Sequence, residues 1–371
     1  MNEDRAVRYH RMRRRAAVVS TVLAASALIA LLASGWSVRL AGWSNRLGGP
    51  AVAVAFFTAV LAVGWELLSL PLTLYSSFLL DRKYGLSSET LGTWTGDHAK
   101  ALAIGLTLTI AAALVVYGSM SVWPRAWWLV DTALFAAVAI VFSQVAPVVL
   151  MPLFYRFTPL ERESLRDRLL AMSKRAGVSV LGVFEWGLGE KTTRANAALV
   201  GMGSTRRILV SDTLLKDYTD DEVEVILAHE LSHHVHHDLW AGLAVETAIV
   251  GASLAAANAA IGWFGASLGI SRASDVAGLP LLVLAAGAVS LSLTPLANAW
   301  SRRNERRADR FALRLTGHPE PFISAMRRLG AQNLAEERPS RPAFWFFHTH
   351  PTIDERIAAA RQRIPGQYKV V

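Results

Sequence analysis

The sequence predicts a mostly α-helical protein that crosses a membrane several times and carries a polar domain on one side of it. Three observations predict this. The 371 residues are 53% hydrophobic and only 18% charged, with a mean hydropathy of +0.32, whereas soluble domains are roughly a quarter charged. The apolar residues gather into six runs, each near the ~20 residues that a membrane helix needs. The charged residues gather between the fourth and fifth runs and after the sixth, where amphipathic and alternating patterns replace unbroken apolar sequence.

Composition also narrows the chemistry. With no cysteine, disulfides, thiolate metal sites and thiol nucleophiles are excluded, so any metal must be held by histidine and carboxylates. The net charge of +9 does not indicate a nucleic-acid partner, because no basic patch is interleaved with aromatic residues. Lysine and arginine instead collect on the loops that stay inside the cell.

The first fifteen residues hold six arginines, followed by an apolar run from about Ala16 to Ala33. With no small-residue cleavage signal after it, this reads as a retained first span rather than a signal peptide. The second run, about Ala51 to Leu80, is longer than a bilayer requires, so it tilts or projects. Pro71 should kink it. Glu66 inside it either faces a cavity or hydrogen-bonds a neighbouring helix. A polar loop, Asp81 to Ser87, leads to a third span, about Ala101 to Tyr117, and Pro124 separates that from a fourth, about Ala126 to Leu150. Leu160 to Ala176 is an amphipathic helix ended by Gly177, and Val178 to Trp186 reads as a strand. Ala197 to Met202 and Arg207 to Val210 read as a hairpin. Ser211 and Asp212 cap a short helix, and Thr219 with Glu222 forms a capping box that opens the next one. Spans five and six run from about Leu239 to Phe264 and Val276 to Ala299. The loops assigned outside hold only Arg39, Arg46, Arg125 and Arg272. Six spans with both termini inside therefore satisfy the positive-inside rule. Four segments result: a membrane segment 1–150, a polar segment 151–238, two further spans 239–300, and a polar segment 301–371.

The chemistry sits in His229-Glu230-Leu231-Ser232-His233. On a helix, His229 and His233 lie one turn apart on one face and can share an ion, with Glu230 placed to take a proton from a water on that ion. A catalytic zinc site needs a third ligand. The best candidate is Glu305, on the helix that leaves the sixth span, with Asp309 one turn on where it can orient a histidine. Taken alone, a glutamate among arginines is a solvated salt-bridge face. The adjacent His234, His236 and His237 read as surface or supporting residues, and Asp238 as part of the shell that supports the ligands. His350 can donate to the oxyanion of a tetrahedral intermediate; the bland reading is a helix-entry residue. Asn196, before the hairpin strand, can hydrogen-bond a substrate added to the sheet edge, or simply make a turn.

Together these residues resemble the type I CAAX prenyl proteases, zinc metalloendopeptidases of gluzincin type, in a bacterial-type member. The resemblance runs from about Leu70 to Ile357 and takes in Tyr84-Gly85-Leu86-Ser87, Met151 to Leu160, Asn196-Ala197, the His229 helix, Glu305 with Asp309, and His350-Pro351 with Arg356. It implies a mostly α, membrane-helical bundle of about six spans, or seven as in eukaryotic members, around a water-filled chamber. A cytoplasmic zincin-like domain with a small sheet faces into it. It implies one Zn²⁺ per chain, with His229, His233 and Glu305 as ligands, Glu230 and His350 as catalytic groups, Asp309 in support, and Asn196, Ala197 and Arg356 on the substrate. The partners it implies are a peptide or membrane-associated protein and the lipid bilayer, with no nucleic acid; localisation is the bacterial cytoplasmic membrane. Thr192 to Ala195, and Ser232 where glycine is frequent, depart from the eukaryotic pattern and bear on CAAX specificity rather than on zinc chemistry. The expected activity is hydrolysis of lipidated, CAAX-like or membrane-associated peptides. The alternatives are a broad quality-control membrane protease and a non-proteolytic scaffold.

Overall fold

The computed structural model describes residues 2–201 and 203–362. Met202, the expected end of a hairpin strand, and residues 363–371 of the C-terminal segment lie outside them. Fourteen α-helices and four strands are ordered along the described chain: α1 Asn2–Ala33, α2 Trp36–Leu47, α3 Pro50–Leu74, α4 Leu80–Lys83, α5 Leu91–Val122, α6 Trp127–Val145, β1 Phe157–Pro159, α7 Glu163–Arg175, β2 Gly182–Trp186, β3 Ala197–Val200, β4 Arg207–Ser211, α8 Asp212–Asp217, α9 Asp220–Val235, α10 Asp238–Phe264, α11 Leu279–Thr316, α12 Pro319–Gln332, α13 Arg341–Phe347 and α14 Ile353–Arg361.

Six of these segments are long and apolar enough to cross a membrane, built on α1, α3 with α4, α5, α6, α10 and α11. Each packs mainly on two neighbours, in the closed order α1, α11, α10, α6, α5, α3 and back to α1. Only 0% to 28% of the apolar window of any span is buried. A solid bundle would bury a face of every helix, so the ring is hollow. One end is plugged by Phe57, Tyr117, Trp127, Ile261 and Leu281, with α2 packed beside them. The polar segments cover the other.

Several helices outrun their apolar cores. α1 begins among the arginines, and α5 starts ten residues before the apolar run, capped by the Thr90 hydroxyl on the Thr93 amide. Pro71 does not end α3; a π-turn at Tyr75–Leu79 follows and α4 continues to Lys83, so the expected loop at Asp81 is partly helix. The extra residue of a π-turn relieves a strained ladder. α11 continues without a break from the membrane into the charged sequence, through Glu305 to Gly317, where a left-handed cap (φ 69°) stops it. α2 was not foreseen. Its 12 residues are too short to span, and Trp36 and Trp43 are exposed, as suits the aromatic belt at a membrane surface.

The sheet has the order β1-β2-β4-β3. β2 runs parallel to β4, and β3 and β4 form the expected antiparallel pair. The predicted strand from Val178 starts only at Gly182, and β1 had no signal, being three residues with a proline. Against this sheet lies α9, whose Val223, Leu227, Ala228 and Leu231 are fully buried. Its capping box is formed as expected: Thr219 N donates to Glu222 at 2.8 Å and Glu222 N to the Thr219 hydroxyl at 3.3 Å.

Candidate active site

Two helices build the site. α9 carries His229 and His233, and the polar part of α11 crosses it carrying Glu305 and Asp309. His229 Nδ1 donates to Asp309 at 2.9 Å, and His233 Nδ1 to Asp238 at 2.9 Å. Arg307 holds the other Asp238 oxygen. Arg356 grips Asp309 through Nε at 2.9 Å and Nη2 at 2.5 Å. Its Nη2 also lies 3.2 Å from His229 Nδ1; both are donors, and the carboxylate between them accepts from both.

With Nδ1–H committed to a carboxylate, each ring turns its Nε2 lone pair toward Glu305. His229 Nε2 is 3.1 Å from Glu305 Oε2 and His233 Nε2 is 3.4 Å from Oε1. Glu305 is 6% exposed and its Oε2 makes no hydrogen bond of acceptable geometry. Lone pairs facing one another across a buried gap call for a cation. Two ligands of a tetrahedral zinc, each about 2.0–2.1 Å from it, stand roughly 3.3 Å apart, so the donor set fits. Burial opposes a charge on His229, yet the nearby Asp309 and Glu305 carboxylates outweigh it and lift the imidazole to about 9. The carboxylates that draw a proton there draw a metal ion in competition with it. Among the described residues, His229, His233 and Glu305 are the group whose ligand atoms all fall within 4.8 Å of one another.

Glu230 and Arg356 line a cavity of about 380 Å³ beside this group, together with Asn196, Ala197 and His350. Burial pushes the Glu230 carboxyl above its ordinary value, against the lowering effect of the two histidines. His350 Nε2 stands 3.5 Å from Glu305 Oε2. Asn196 turns its backbone toward β4, exchanging bonds with Ser211. By strand alternation, Ala197 and Leu199 present theirs at the free edge of β3. His234 Nε2 donates to Leu199 O at 3.0 Å and so closes that edge beyond Ala197. A second cavity, about 610 Å³, continues past Asn196 between the polar ends of α3 to α5 and the sheet.

The structure thus brings together every expected site residue, but Arg356 is spent largely on Asp309. Glu66 takes the local reading, accepting from His98 of α5 at 2.7 Å. His236 lies back on Ser232 of its own helix, and His237 (φ 56°) forms the turn into α10. Sequence reasoning missed Arg307, whose only signal was its place two residues after Glu305, and His10 of α1, which lines the active cavity.

Comparison with known proteins then decides the family. The model of peptidase family M48 matches residues 159–364. The chain belongs to peptidase family M48. Residues 2–156 match the model described as CAAX prenyl protease N-terminal, five membrane helices. The M48 chain is 28% identical over 344 residues to the uncharacterized metalloprotease YhfN of Bacillus subtilis, covering 90% of this chain and 79% of that one. It is 26% identical over 361 residues to the probable CAAX prenyl protease 1 of Schizosaccharomyces pombe, covering 92% and 75%. Its fold matches the crystal structure of S. mikatae Ste24p with a TM-score of 0.87 at 20% identity, over 97% and 89% of the two chains. This M48 chain is a zinc metalloendopeptidase and a multi-pass membrane protein.

Proposed function

We propose that the protein hydrolyses peptide bonds of membrane-associated or lipidated, CAAX-like proteins inside its helical ring. One observation carries this reading: a buried, carboxylate-supported His-His-Glu group beside a cleft at the polar end of a hollow set of spans. His229, His233 and Glu305 hold one zinc ion. Zinc, when bound, polarises the scissile carbonyl and makes water a better nucleophile. Glu230 takes the proton from the attacking water and delivers it to the leaving amine. His350 donates to the oxyanion. Asp309 and Asp238 keep both imidazoles in the tautomer that offers Nε2. The substrate lies as an added strand along β3, held by the Asn196 side chain and the Ala197 backbone, with Arg356 at the floor of the cleft. By the asymmetry of its arginines the catalytic end faces the cytoplasm.

The experiment is cleavage by purified protein of a farnesylated CAAX peptide, its unprenylated twin, and an unfolded membrane protein. Preference for the farnesylated peptide is expected. Equal cleavage of all three would replace this reading with a quality-control protease. Cleavage of none, with zinc bound, would contradict both. Supporting residues have their own prediction. Asp309→Asn should weaken zinc binding roughly 10–100-fold, measured by competition with a chelator of known affinity. Unchanged affinity would remove Asp309 from that role.

A further inference from the structure

The arginine-rich start of the chain, read in the sequence as an orientation signal, is bonded into the catalytic end. A signal that acts only through its charge needs no partners. Here Arg5 donates to Tyr84 O at 2.6 Å, Tyr9 to Asp81 at 2.6 Å, and His10 Nε2 to Leu334 O at 2.7 Å. Arg14 takes Glu336 with both terminal nitrogens, Nη2 reaching Oε1 at 3.1 Å. Glu336 is only 6% exposed. Its Oε2 is also 3.5 Å from His348 Nε2.

The contacts from His10 and Arg14 fall on a strap, residues 334 to 350, which α11 also holds further along, Asn298 donating to Trp345 O at 2.9 Å. Leu334 sits at φ 50°, a left-handed conformation that a leucine keeps only when its surroundings impose it. Its side chain is packed among Ala6, Tyr9, Leu80, Tyr84 and Leu86. In α13, Trp345, Phe346 and Phe347 are exposed. From the ring, Arg302 of α11 fixes the strap's backbone, donating to His348 O at 2.6 Å. The side chain of His348 lies between Glu336 and the ring of Phe344, whose centroid is 5.9 Å away. Two residues on comes His350, 3.5 Å from Glu305.

We propose that Arg14 and Glu336 are positioning residues: α1 clasps the strap through Arg14, Glu336 and His348, and the clasp holds His350 at the metal group. This rests on His350 acting as the oxyanion donor. Arg14 does not line the active cavity, but Glu336 and His348 do; an effect that passes through His350 vanishes once His350 is removed. The full-length protein in detergent is assayed with a CAAX reporter peptide as wild type, Arg14→Gln, Glu336→Gln, the exchanged pair Arg14→Glu with Glu336→Arg, His350→Ala, and His350→Ala with Arg14→Gln. A displaced catalytic group costs roughly ten- to a hundredfold, so kcat should fall by that factor in Arg14→Gln, with KM and zinc content kept. The exchanged pair should recover part of the loss, and the variant carrying both Arg14→Gln and His350→Ala should be no slower than His350→Ala alone. Where Arg14→Gln fails to accumulate, Arg14→Lys keeps the charge and loses the two-pronged contact. Losses that multiply in the doubly substituted protein would overturn the proposal, as would a silent Arg14→Gln beside an impaired His350→Ala. An undiminished His350→Ala would instead remove the donor reading on which the proposal stands.

Discussion

Glu230→Gln is expected to keep its zinc and lose nearly all turnover. Glutamine has nearly the same size and keeps the oxygen acceptor, but it cannot carry a proton from water to amine. Positioned proton transfer contributes roughly 10²–10⁴-fold, and here one group performs both transfers, so the loss should lie at the upper end. KM should move little, because Glu230 acts on the reacting atoms and the peptide is held along β3. Stability should change little, because the substitution keeps the size and shape of the side chain. The comparison is zinc content and kcat on one preparation. Turnover within a few-fold of wild type would end the assignment of Glu230.

Glu305→Ala should lose zinc and activity together. The residue is 6% exposed, on the helix that crosses α9, and faces both Nε2 atoms. Removing a supporting carboxylate costs roughly 10–100-fold in affinity, and removing a ligand should cost more. The imidazoles remain fixed by Asp309 and Asp238, so the protein should still fold. Metal analysis after gel filtration at limiting zinc checks this, with Glu230→Gln as the partner that keeps the metal. Retained stoichiometric zinc in Glu305→Ala would show that the ligand set is drawn wrongly.

What was legible in the sequence was what is local. The α9 capping box, the four-residue spacing of His229 and His233, and the places of the six spans each depend on residues near in sequence, and each formed, though several helices run on past their apolar cores. Glu305 became legible only beside that pair, since its own surroundings read as a salt-bridge face. What joins distant segments was not legible. Lipid-facing apolar helices carry little signal of which neighbours they take, so the closed ring order had no trace in the sequence. Arg14 and Glu336 lie 322 residues apart, and charge alone gave Arg14 a sufficient reason to exist. β1 forms only because β2 offers an edge, and α2 hides in a stretch too short to span. Arg356 was assigned to substrate because nothing nearby announced Asp309 as its partner.

The most direct measurement is anomalous X-ray scattering from crystals of the unsubstituted protein, recorded on both sides of the zinc absorption edge. One peak per chain should appear, in contact with Nε2 of His229, Nε2 of His233 and the Glu305 carboxylate. A zinc peak held by other residues, or none in protein that cleaves its peptide, would contradict the site.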